Sequence, residues 1–107
     1  MRITIEKNKN ITFRVAGISK ADRQELARKC IPGEPAILHK DTDNPFDRNA
    51  IGVYNKKGYQ LGYIPRARNQ EIQQILDNKE HTAIIKNVNT YMGTTGVVIE
   101  VKVKIGK

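Results

Sequence analysis

Tryptophan is absent, cysteine occurs once, histidine twice, and phenylalanine and tyrosine together supply only 6 of 107 residues. A single thiol, Cys30, cannot close an internal disulfide or assemble a zinc site, and its place late in a predicted helix suits a buried thiol. His39 and His81 have no serine or cysteine beside them in a nucleophile motif and read as ordinary surface or half-buried residues, so no catalytic residue is expected. Asp41, Asp43 and Asp47 have the spacing of a calcium loop, but Pro45 takes the third ligand position and Phe46 the place that needs glycine. Neither a metal nor any other cofactor is expected. No glycine pattern cradles phosphate at a helix start. No apolar run approaches the roughly 20 residues of a membrane helix, and no charged leader precedes a short apolar segment. A soluble, cytoplasmic and monomeric protein without a membrane partner is expected, nucleoid-associated if bacterial.

What the chain does have is positive charge. Lysine and arginine outnumber aspartate and glutamate by 19 to 11, giving a net charge of +8. Such a balance favours polyanionic partners, nucleic acid first among them, although solubility alone would also account for it. The apolar residues are gathered into short runs punctuated by Gly, Pro, Asn and Asp, a pattern of folding and not of disorder. At 107 residues the chain fits one domain, read as a flexible start over residues 1–10 and a folded domain over 11–107.

Alternation at Ile11, Phe13, Val15 and Gly17 predicts a first strand running to about Ile18. Ser19, with Asp22 three positions on, predicts a helix N-cap; Leu26, Ala27 and Cys30 lie on one side of that helix and Pro32-Gly33 ends it. Ala36–Leu38 opens a second strand, and Asp41-Thr42-Asp43-Asn44-Pro45 predicts a substantial loop. Ala50–Tyr54 and Tyr59–Ile64 flank Asn55-Lys56-Lys57-Gly58 as a hairpin. Ile72, Ile75 and Leu76 predict a second helix over about Arg68–Asn78. Two last strands, Thr82–Tyr91 and Gly96–Ile105, are joined across Met92-Gly93-Thr94-Thr95, with Val97, Ile99, Val101, Val103 and Ile105 on one face. Six short strands with two crossover helices predict a mainly β, α+β domain built as a compact, partly open barrel.

One segment carries chemistry. In Asp43-Asn44-Pro45-Phe46-Asp47-Arg48-Asn49-Ala50-Ile51 an aromatic ring stands beside a carboxylate in a loop of a basic protein. The ring can stack on a terminal base while the carboxylate accepts a hydroxyl hydrogen bond and repels a terminal phosphate. The competing reading has Phe46 anchoring the loop in the core and Asp47 capping a turn.

Phe13-Arg14-Val15-Ala16-Gly17-Ile18, then Asp43 through Tyr54, then Leu61-Gly62-Tyr63-Ile64-Pro65-Arg66, resemble in order and spacing the three signature blocks of the HIRAN family. The resemblance extends over about residues 11–105. It implies a modified OB- or SH3-like six-stranded β-barrel that captures the 3′-hydroxyl end of single-stranded DNA, in a setting of DNA repair or stalled replication forks. Free-standing bacterial or phage members lack the motor that eukaryotic relatives carry, so any helicase, translocase or nuclease would be a separate partner.

By position, the resemblance implies that Phe46 stacks on the terminal base and Asp47 meets the 3′-hydroxyl. It gives Tyr63 and Arg66 contacts to the terminal nucleotides and phosphates, and sets Tyr91 near the mouth of the site; Asn44 and Asn49 join the DNA-binding set. Phe13-Arg14 stands where the best-understood relatives have an Arg-Tyr pair, with the order of aromatic and cation reversed; here Arg14 would stack its guanidinium on a base. Tyr63 and Tyr91 also read as core aromatics and Arg66 as a solvated helix-start residue. Lys56, Lys57, Lys86, Lys102 and Lys104 read equally as phosphate contacts or as solvated and edge-protecting residues. A protein-interaction adaptor barrel with weak, nonspecific nucleic-acid binding is the alternative function.

Overall fold

In the computed structural model, residues 7–105 are described. Strand β1 (Lys7–Arg14) is followed by helix α1 (Ala21–Lys29), β2 (Ile37–Lys40), β3 (Ile51–Tyr54) and β4 (Gln60–Tyr63). A 3-10 turn (Arg66–Arg68) leads into α2 (Asn69–Asn78), and β5 (His81–Tyr91) and β6 (Thr94–Ile105) complete the described residues. The first strand begins at Lys7 and not at Ile11, so only residues 1–6 of the expected flexible start lie outside the described residues.

Two antiparallel three-stranded sheets result, ordered β1-β6-β5 and β2-β3-β4, and each helix carries the chain from one sheet to the other. The mainly β class with two helices is as expected, but the six strands of the expected partly open barrel do not close into one sheet. Among the described residues, strand pairing links the two sheets at two isolated bridges, Ala16↔Tyr63 and Pro35↔Ile84. Short strands and the seam explain this: β2, β3 and β4 have four residues each, and Gly17 turns the chain away at φ 69°.

Alternation fixes which side of each strand is buried. Ile11, Phe13, Val97, Ile99, Val101 and Val103 face inward from the first sheet and Ile51, Val53 and Leu61 from the second, with Ala27, Ile72 and Ile75 of the helices between them in one core. The β3–β4 hairpin turns as expected: Asn55 Oδ1 accepts the N–H groups of Lys57 (3.0 Å) and Tyr59 (2.9 Å), and Gly58 adopts φ 88°. The β5–β6 connection is tighter than its sequence suggested. Tyr91 pairs with Thr94 across Met92 and Gly93 alone, both at positive φ, so Thr94 and Thr95 belong to β6.

Local capping does not start α1. Its N-cap is Lys20, without a side-chain cap, and not Ser19. The fixing contact is tertiary: the buried Gln24 amide donates to the Ile18 (2.8 Å) and Thr95 (2.9 Å) carbonyls and accepts the Thr95 N–H (2.8 Å). That side chain thereby ties the β1–α1 loop and the helix to the long hairpin. Cys30 is half-buried, its thiol 3.4 Å from the Leu26 carbonyl oxygen. Burial, then the nearby Glu34 carboxylate, pushes that thiol above its ordinary range.

Gly62 shows how the seam shapes the second sheet. The Ala16 carbonyl oxygen and Val15 Cγ1 occupy the space a Cβ would need there, while Ala16 and Tyr63 exchange backbone hydrogen bonds of 2.7 and 2.8 Å. Only glycine lets the end of the first strand cross β4 this closely.

Candidate nucleic-acid interface

The β2–β3 loop supports itself by side chains returning to its own backbone. Asn44 Oδ1 accepts the N–H groups of Phe46 (2.8 Å) and Asp47 (3.1 Å), and Asp47 Oδ1 accepts that of Asn49 (2.9 Å). These are two consecutive Asx turns, the geometry short polar side chains impose where no ladder is available. Asn44 also donates to Asp41 (3.3 Å), and the Asp41 N–H bonds to the Ala50 carbonyl (2.8 Å), closing the base of the loop.

With the backbone so fixed, the Phe46 side chain is carried outward and is 88% exposed, which removes the reading that it anchors the loop in the core. Asp47 does two things. Its Oδ1 caps the turn, while its Oδ2 is met by Asn69 Nδ2 at 3.1 Å and Arg66 Nε at 3.5 Å. The second oxygen thus belongs to a cluster formed with the start of α2, at the wall of a cleft.

That cleft, of about 330 Å³, is lined by residues that include Ala16, Lys20, Phe46, Asp47, Tyr63 and Asn69. Asn44 and Arg66 border it as well. Tyr63 is held from two sides, by the Arg23 guanidinium 5.4 Å from its ring centre and by Asp41 Oδ2 at 3.5 Å from its hydroxyl. Arg23 is in turn anchored on the Gly17 carbonyl at 2.9 Å. The arrangement offers an exposed aromatic face, a carboxylate acceptor, a second aromatic ring and the cations Lys20 and Arg66 around one space.

A second cleft of about 320 Å³ lies at the other end of the same strands, bordered by Leu26, Cys30, Glu34 and Tyr59 among others. Size does not separate the two. Chemistry does, because the first gathers Asn44, Phe46, Asp47, Tyr63 and Arg66 from two separate stretches of sequence.

The other residues singled out lie elsewhere. Asn49 contributes its backbone to the Asp47 turn. Phe13 is 6% exposed in the core, opposite Ile99. Arg14 points to the opposite face of the first sheet, with its guanidinium over Gly96. Reversing aromatic and cation in that pair puts the ring inside and the cation outside, as the two-residue period of a strand requires. Tyr91 is 78% exposed beside the β5–β6 turn and does not border the cleft. Of the lysines, Lys86 sits at a bulge of β5 and pairs with the buried Glu100 at 3.2 Å, and Lys56 pairs with Glu34.

Lys20 and Asn69, with the apolar Ala16, Ala50 and Ile64, are the lining residues that sequence reading missed. A signal for Asn69 exists: it lies three and six residues before Ile72 and Ile75, a polar amide on the apolar stripe of α2. Asn69 is 5% exposed, and its Oδ1 has no hydrogen-bond partner. Its orientation is set by Asp47, since a flipped amide would turn its oxygen onto the carboxylate.

The HIRAN domain family model matches residues 8–105. The chain belongs to the HIRAN domain family. Over 46 residues it is 41% identical to the helicase-like transcription factor of Mus musculus and 39% identical to that of Homo sapiens. This is 43% of the present chain, and spans only 5% of the length of those relatives. The HIRAN fold is shared with solved structures at low identity. The crystal structure of the HIRAN domain of human HLTF superposes with TM-score 0.67 at 19% identity, covering 89% of this chain and 74% of that one. A Lactobacillus plantarum protein gives TM-score 0.67 at 20% identity, covering 91% of this chain and 99% of its own. The HLTF HIRAN domain in its DNA-bound conformation gives TM-score 0.55 at 20% identity, covering 87% and 74%.

Proposed function

We propose that this HIRAN domain is a binding module that captures the 3′-hydroxyl end of single-stranded DNA in the cleft between Phe46, Asp47 and Tyr63. The observation that carries this reading is the pairing of an almost fully exposed Phe46 ring with the adjacent Asp47 carboxylate at the cleft wall. A terminal base stacks on the ring, and the terminal hydroxyl donates to the carboxylate. A terminal phosphate would bring negative charge against Asp47 in a partly desolvated site. Lys20 and Arg66 hold the phosphate one step inward, as a point charge and a planar fork respectively. Family membership and the DNA-bound conformation of the HLTF HIRAN domain support the choice of ligand.

The module acts with a separate helicase, translocase or nuclease at repair sites or stalled forks, marking the end on which that partner works. A protein-interaction adaptor is the second reading, favoured by one observation: Phe13 and Arg14 contribute nothing to the cleft.

The deciding measurement is fluorescence anisotropy of 5′-labelled single-stranded DNA ending in a 3′-hydroxyl or a 3′-phosphate. The wild type binds the hydroxyl end at least about tenfold tighter, the range of one charge-assisted hydrogen bond. Asp47→Asn keeps an oxygen for the turn and removes the charge, so the phosphate penalty shrinks. Weak binding of both ends, equally salt-sensitive in wild type and variant, would leave only the net charge at work and favour the adaptor.

A further inference from the structure

The outer face of the β2-β3-β4 sheet carries an arrangement that the end site does not use. Register places His39 opposite Gly52 and Gly52 opposite Tyr63, so these three form one row across the sheet. The next row is Ile37, Tyr54 and Gln60. Gly52 has no side chain to fill its place, and the Tyr54 side chain fills it instead. Its Oη, Cε1 and Cζ lie 2.7, 2.8 and 2.9 Å from where a Cβ of residue 52 would be. Gly52 is consequently buried although it belongs to the outer row.

This seats the Tyr54 ring between His39 and Tyr63, on strands about 4.8 Å apart. His39 is exposed, Tyr54 and Tyr63 are half-buried, and Ile37 beside them is 45% exposed. The Arg23 guanidinium lies over the Tyr63 ring, 5.4 Å from its centre, and Asp41 is the acidic group at this edge. Burial first, then Asp41 and Tyr63, push the Tyr54 hydroxyl above its ordinary range, so its ring meets a ligand as a neutral phenol.

We propose that this His39–Tyr54–Tyr63 row is a stacking track for the nucleotides that precede the terminal one, on the same single strand. The proposal rests on the end-capture reading. Tyr63 borders both the cleft and the row, so a strand ending at Phe46 has a continuous aromatic surface along which to leave. Aromatic faces suit such a track because every base has a π-face, and the net charge of +8 favours the polyanion over an apolar partner.

The test compares 3′-hydroxyl oligothymidylates of two and eight nucleotides at fixed salt, with the 3′-phosphate octamer alongside. The wild type gains about tenfold in affinity from the longer strand, within what base–aromatic stacking supplies. Tyr54→Phe keeps the gain. Tyr54→Ala loses most of it, with the net charge unchanged and the 3′-hydroxyl preference intact. Gly52→Ala does the same by a second route, since the new Cβ displaces the movable ring end and leaves the backbone in place. Circular dichroism melting of each variant establishes that it is folded. An equal length gain in wild type and Tyr54→Ala, with the hydroxyl preference present, overturns the track and leaves end capture standing. A Tyr54-dependent length gain without any hydroxyl preference supports the stacking face and overturns end capture.

Discussion

Two buried amides, Gln24 and Asn69, should respond very differently to the same truncation. Gln24 makes three hydrogen bonds of 2.8–2.9 Å, to the Ile18 and Thr95 carbonyls and from the Thr95 N–H. At about 1 kcal/mol each, with backbone groups left unpaired inside the protein, Gln24→Ala should cost about 3 kcal/mol. Asn69 makes one bond, to the ionised Asp47, worth about 1.5–3 kcal/mol. Its Oδ1 is a buried acceptor without a partner, and removing it recovers about 1–3 kcal/mol. These contributions nearly cancel, so Asn69→Ala should change stability by less than about 1 kcal/mol. Urea unfolding of the two variants, compared at equal m-value, makes the comparison. In a domain of this size the Gln24 variant should melt at least about 10 °C lower and the Asn69 variant within about 6 °C of wild type. If Asn69→Ala is as destabilising as Gln24→Ala, Oδ1 has a partner after all, an ordered water for example, and the reasoning from an orphaned acceptor is refuted. The Asn69 variant should also show a reduced 3′-hydroxyl preference, because Asp47 Oδ2 loses the donor that orients it.

Phe46→Ala should leave unfolding free energy within about 0.5 kcal/mol of wild type, the range of ordinary surface changes, since the ring is 88% exposed. The same variant should weaken end binding by about tenfold in the anisotropy assay. Gly62→Ala forces a methyl against the Ala16 carbonyl, which cannot rotate away, and should cost about 1–3 kcal/mol in urea unfolding. Cys30 should react slowly with a disulfide reagent at neutral pH and faster only as the pH rises beyond the ordinary thiol range, because burial and Glu34 hold its pKa up. Reaction at neutral pH as fast as that of a free thiol would contradict its environment.

Much of the fold was legible because it is local. The period of two along Val97, Ile99, Val101 and Val103 became a buried strand face, and the apolar spacing of Ile72 and Ile75 became the inner side of α2. Asn55 and Gly58 marked a turn that their own side-chain and backbone chemistry builds. What was misread depended on distant partners. Ser19 had the local character of a cap, but Gln24 bonding across to Thr95 set the start of α1 one residue later. Barrel closure could not be judged from strand number, since it turns on how far Ala16 and Pro35 can extend their bridges.

The sequence by itself determined the element order, the basic charge, the family and the loop that joins Phe46 to Asp47, because each is a property of neighbouring residues. Tertiary structure alone decided that Phe13 and Arg14 lie outside the cleft and that Asn69 meets Asp47 across 22 positions of chain. The same folding laid Tyr54 over Gly52 between two other rings. Side-chain direction follows from strand parity and from which backbone groups a seam leaves free, and both are settled only when the two sheets pack.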